Sequence, residues 1–146
     1  MKSIFFTTLL ALLAVAPALA QNASPVGLWK TFDDVTGKPT ALIRIVKLAG
    51  GEFNGKIERI LLAGENPNST CKRCVGVEKD QPVIGMSVLN GLKENGDEYS
   101  GGNLLDPHTG NVTKSKMSLT DGGMKLKVYA YIGSPMFGRS QTWVRQ

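Results

Sequence analysis

From residue 21 onward the chain is divided into short pieces by glycine and proline. All 17 glycines and six of the seven prolines lie beyond residue 20. Glycine opens positive φ, and proline fixes φ and removes a donor, so both punctuate regular structure. Between the breaks lie runs rich in alternating or β-branched side chains. None sustains the apolar period of an amphipathic helix, and such a pattern specifies many short antiparallel strands.

Eight strands are expected, over 27–32, 40–48, 52–62, 83–89, 98–105, 111–119, 124–132 and 138–145. The connection 63–82 is the long one and carries both cysteines. The seventh run is the clearest. Met124, Leu126, Val128, Ala130 and Ile132 alternate with Lys125, Lys127, Tyr129 and Tyr131. Successive side chains point to opposite faces of a strand, so one face meets a core and the other water. In the third run Phe53, Ile57 and Leu61 share a face against Asn54, Lys56 and Glu58. Asn95-Gly96 and Asp121-Gly122-Gly123 supply the residues that tight hairpins need. Consecutive hairpins make a meander, and closing it removes both exposed edges. The expected fold is therefore all-β, an antiparallel up-and-down barrel of about eight strands. A lipid-spanning barrel is disfavoured, because Lys125 and Lys127 would face lipid or a very small lumen.

The N-terminus has a different character. Met1-Lys2-Ser3 precedes an apolar run from Ile4 to Val15, then Pro17 and Ala18-Leu19-Ala20. This is the pattern of a cleavable secretory signal, expected to be cut after Ala20. The run is about 12 residues, against the roughly 20 that span a bilayer. Residue 21 is Gln, not the Cys of a lipoprotein. The expected mature chain is residues 21–146, one barrel domain in the periplasm or secreted. Losing Lys2 lowers the formal charge from +5 to about +4. No Lys/Arg run interleaved with aromatics marks a nucleic-acid partner.

Two segments carry a closure motif. Gly27-Leu28-Trp29 opens the first strand, and Trp143-Val144-Arg145 ends the last. The pairing resembles the calycin pattern of lipocalins and fatty-acid-binding proteins. There, an arginine from the last strand covers the tryptophan of the first and closes one end of the barrel. The resemblance implies that Arg145 or Arg139 packs on Trp29, a cation over an indole face. On the last strand Arg139, Gln141, Trp143 and Arg145 share a face. Facing inward they would give a polar, cationic lumen suited to an anionic ligand, and facing outward they would leave the arginines as surface decoration. The expectation places Trp143 inward and Arg139 near the rim.

Cys71-Lys72-Arg73-Cys74 is the only cysteine pair. Outside the cytoplasm a local disulfide is the leading reading. A redox centre lacks the βαβ setting, and zinc wants four ligands. His108, the single histidine, sits in Asp106-Pro107-His108-Thr109-Gly110 and reads as an exposed turn residue. With no second candidate base, a hydrolytic triad has no support. No metal site, cofactor or enzymatic activity is expected.

Longer segments resemble the exported bacterial proteins grouped as domain of unknown function 2147. These are Gly27-Leu28-Trp29-Lys30-Thr31-Phe32-Asp33-Asp34, Gln81-Pro82-Val83-Ile84-Gly85-Met86 and Phe137-Gly138-Arg139-Ser140-Gln141-Thr142-Trp143. The resemblance implies an exported β-rich domain and no particular activity. It also places Cys71 and Cys74 in a stretch where members vary. The expected function is a non-enzymatic binding or carrier protein for a small-molecule ligand. The alternative is a structural or interaction module of the cell envelope with a filled core.

Overall fold

The computed structural model describes residues 24–146, so the expected signal at 1–20 lies outside the described residues. Eight antiparallel strands run in sequence order around a closed barrel. They are β1 (Gly27–Phe32), β2 (Pro39–Lys47), β3 (Phe53–Ile60), β4 (Ser87–Asn95), β5 (Glu98–Leu105), β6 (Val112–Thr120), β7 (Lys125–Tyr131) and β8 (Gly138–Arg145). Single 3-10 turns occupy Gly76–Glu78 and Asp121–Gly123. The seam between β1 and β8 is short, with Trp29 opposite Arg145 and Lys30 opposite Val144.

Alternation sets what faces inward. Leu126 and Val128 are buried while Lys125 and Lys127 are exposed. Trp29, Ile45, Phe53, Leu92, Met117 and Trp143 are buried with them in one interior cluster. An apolar interior and a charged exterior are the reverse of a lipid-facing barrel wall. Burying a large apolar side chain contributes about 1.5–3 kcal/mol each, so this interior is the main source of stability.

Three expectations need correction. The fourth strand begins at Ser87, not Val83, and runs on through Asn95. Residues 83–86 instead form a turn at Gly85, whose φ is +91°. That turn pairs with the middle of β3: Gly85 N–H donates to the Ile57 carbonyl at 2.7 Å, and Ile57 N–H to that of Met86 at 3.0 Å. Lys93 and Glu94, beyond the expected strand 83–89, pair with Ser100 and Tyr99 on β5. The hairpin bend is therefore only Gly96 and Asp97 wide. Second, Leu61 lies past the end of β3. A bulge opposite Leu42/Ile43 shifts the register, and Ile60 packs against the interior in its place. Third, Met124 and Ile132 flank β7 and are exposed rather than inward.

Small residues set the closest approaches. Gly102, Ser115 and Ala130 stand in register across β5, β6 and β7. A Cβ at Gly102 would lie 2.3 Å from the Asn90 carbonyl oxygen and 2.8 Å from Leu92 Cγ. The Ser115 hydroxyl is buried there without a hydrogen-bond partner among the described residues. Its small volume fits this tight row.

Candidate functional site

A meander sends its odd and even connections to opposite ends. The turns after β2, β4 and β6 gather at one end, and those after β1, β3, β5 and β7 at the other. The first end is closed. Trp29 is fully buried, and its indole N–H donates to the Pro25 carbonyl at 2.8 Å. The Arg145 guanidinium carbon lies 4.3 Å from a Trp29 ring centroid. Arg145 Nε donates to the Gly123 carbonyl at 2.8 Å, Nη1 to that of Val26 at 2.9 Å, and Nη2 to that of Ser24 at 2.7 Å. One planar fork thus ties the chain before β1 to the turn after β6, a task that lysine's point charge does not match. Partial burial lowers the Arg145 pKa below its ordinary value. Gly27 has φ +147°, and a Cβ there would sit 2.7 Å from Arg145 Nη1. Both facts explain why a glycine stands two residues before the tryptophan. Of the two candidate arginines, Arg145 is the one on Trp29.

The other end is open over a cavity of about 660 Å³. Ile43, Ile57, Val88, Leu105 and Trp143 give it an apolar floor, and Asp34, Lys72, Arg73, His108, Arg139 and Gln141 a polar mouth. The inward face of β8 is therefore graded. Trp143 is buried, Gln141 is half-buried and Arg139 is exposed at the rim. The Trp143 indole N–H donates to Gln141 Oε1 at 3.2 Å, and Gln141 Nε2 donates to Asp34 Oδ2 at 3.4 Å. That relay satisfies a buried donor and links β8 to the turn after β1. Arg139 forms no ion pair with a described residue.

The mouth turns are organised by their own carboxylates. Asp33 Oδ1 accepts from the Thr36 amide at 2.6 Å, the Thr36 hydroxyl at 2.8 Å and the Val35 amide at 3.1 Å. The Thr36 amide, then its hydroxyl, hold the Asp33 pKa below its ordinary value. Asp106 accepts from the His108 amide at 2.9 Å and the Thr109 hydroxyl at 3.0 Å. His108 is exposed in this turn, as expected, and also borders the cavity.

Cys71 and Cys74 form a disulfide and are buried. The loop they staple packs on the turn after β5. Cys71 Sγ lies 3.2 Å from the Pro107 carbonyl oxygen, a contact and not a hydrogen bond, since a disulfide sulfur has no proton. Gly110 has φ +77°, and a Cβ there would lie 2.1 Å from the Arg73 carbonyl oxygen. The disulfide thereby positions Lys72 and Arg73 at the mouth. Sequence reasoning did not assign Lys72, Arg73, Asp34 or His108 to the site. The signal was available, because loops after odd strands of a meander must share an end. Among the described residues, no group of three or more His, Cys, Asp or Glu side chains could hold a metal ion.

Comparison with known proteins agrees with this architecture. A solved structure described as protein HP1028 from the human pathogen Helicobacter pylori, belonging to the lipocalin family, superposes with a TM-score of 0.72. The match covers 84% of this chain and 83% of that one at 16% identity, a likeness of fold. A search of curated proteins returns no match. The family described as uncharacterized protein conserved in bacteria, domain of unknown function 2147, matches residues 27–145. With that match over nearly the whole barrel, the chain belongs to the domain of unknown function 2147 family.

Proposed function

We propose that this protein binds a small ligand in the open half of its barrel, as a non-enzymatic binder or carrier outside the cytoplasm. The cavity of about 660 Å³, with its apolar floor and polar mouth, carries the reading. Ligand sites are typically concave, mostly apolar and roughly 300–1,000 Å³ in volume. Barrels of eight strands are just wide enough to hold one small ligand. Arg139, unpaired at the rim, suits a ligand with an apolar body and an anionic end. The buried disulfide supports an oxidising compartment. For the non-enzymatic part the support is that three mouth carboxylates are already engaged, Asp33 and Asp106 within their own turns and Asp34 by Gln141.

Native mass spectrometry of protein purified from its host tests the reading, with a co-purified small molecule expected. A dansyl-labelled fatty acid supplies the second arm. In a Trp29→Phe background, binding should quench Trp143 fluorescence, and Arg139→Ala should weaken the probe by about tenfold, the worth of one charge-assisted contact. No co-purified molecule and no quenching would return the barrel to the structural-module reading.

A further inference from the structure

The outer wall of the barrel is electrically lopsided. β6, β7, β8 and β1 are neighbours around the barrel and contain no acidic residue. Their outward positions hold Lys30, Lys114, Lys116, Lys125 and Lys127. Each alternates with an inward residue such as Trp29, Met117 or Leu126. β2 to β5, by contrast, interleave Arg44, Lys47, Lys56, Arg59 and Lys93 with Glu58, Glu94 and Glu98. Arg44 is there held by Glu58 at 2.8 Å. On the basic side Lys116 and Lys125 reach flanking acids, Glu98 at 3.6 Å and Asp121 at 3.7 Å. Lys30, Lys114 and Lys127 pair with no described acid.

An uncharged apolar tip extends this same wall. The β7–β8 connection, residues 132–137, exposes Ile132 by 73%, Met136 by 85% and Phe137 by 73%. These side chains meet water although the connection itself is folded. Ile132 N–H donates to the Phe137 carbonyl at 3.2 Å, and Phe137 N–H to that of Ser134 at 3.0 Å. The Tyr129 hydroxyl, on the basic wall, donates to the Pro135 carbonyl. Tyr129 and Tyr131 stack with ring centroids 5.9 Å apart, and Lys116 Nζ lies 5.9 Å from the Tyr129 ring. Lysines, amphipathic rings and an apolar tip form one ordered surface.

We infer that this surface docks on an anionic lipid bilayer, with the β7–β8 tip entering the headgroup region and the lysines facing the lipid phosphates. Charge complementarity selects an anionic partner. The apolar tip selects lipid over a soluble polyanion, which offers nothing to bury Met136 and Phe137. Amphipathic surfaces bind membranes through buried apolar area plus attraction to anionic lipids. The tip lies at the mouth end of the barrel, so docking brings the cavity entrance toward the bilayer. The wall lies outside the lumen, so this inference stands or falls separately from ligand binding.

Vesicle co-sedimentation of residues 21–146, which carry the whole closed barrel, tests it. Binding is expected to vesicles containing one-third phosphatidylglycerol and not to phosphatidylcholine alone. Lys114→Glu with Lys127→Glu should weaken binding more than about tenfold, given about fivefold per lysine near an anionic surface. Met136→Ser with Phe137→Ser should weaken it by roughly tenfold at the same salt. Circular dichroism and a thermal melt check that each variant remains folded. Equal binding to both vesicles, or none, would overturn the inference. So would a tip variant that binds anionic vesicles like the parent while dextran sulfate competes fully, an outcome that marks a soluble polyanion as the partner.

Discussion

The two ends of the barrel use arginine in opposite ways. At the closed end Arg145 lies over Trp29 and satisfies three backbone carbonyls. At the open end Arg139 stands at the rim without an ionic partner. The residues are six positions apart on one strand and share its inward face. The difference lies in what the chain provides around each. At Arg145 the segment before β1 and the turn after β6 converge with carbonyls aimed inward. At the mouth, Asp33 and Asp106 are engaged within their own turns and Asp34 accepts from Gln141. One end thus contributes stability, and the other leaves donors available.

The largest expected effect follows from removing Arg145. Arg145→Ala should cost about 2–4 kcal/mol, since it strips charge-assisted hydrogen bonds from three carbonyls and uncovers the indole. Urea denaturation should show it, and thermal unfolding should show a fall in Tm of roughly 10 °C. Arg145→Lys should recover little, because lysine lacks the fork. Reducing Cys71–Cys74 should cost about 2 kcal/mol, the entropy of so small a closed loop. The damage should concentrate at the mouth, read as faster amide exchange in 69–83 and 106–110 than in β1 and β8. The smallest effect is Arg139→Ala, expected to move stability by less than about 0.5 kcal/mol while weakening the anionic probe. An equal loss of stability from Arg139→Ala and Arg145→Ala would erase the contrast between the ends.

Much of this barrel was legible in the residues. Seven strands fall within a few positions of their expected places, because period-2 alternation and Asn-Gly or Asp-Gly turns are local signals. The fourth strand slipped because Val83-Ile84 has the composition of a strand yet belongs to a turn paired with β3. Its propensity was overridden by a tertiary pairing with Ile57. The Leu61 expectation failed for a related reason, since a bulge changes register without changing composition. The closing arginine was narrowed to two residues, and only the convergence of three distant carbonyls distinguishes Arg145. The mouth was harder to read. Lys72 and Arg73 reach it through a disulfide loop seated on Gly110, a contact between segments more than thirty residues apart.

The seam between β1 and β8 also governs the order in which the molecule can be completed. The bond from Arg145 to the Ser24 carbonyl joins groups 121 positions apart. A ribosome delivers Trp29 early and Arg145 only after all the intervening hairpins. Until then the first strand waits with an unsatisfied edge and an uncovered indole. Hairpins formed by neighbouring strands can appear one by one, but the cylinder is a property of the finished chain. Such long-range closure is slow to find, because its entropic cost precedes its reward. The interval before closure is when a chaperone would find the most to hold.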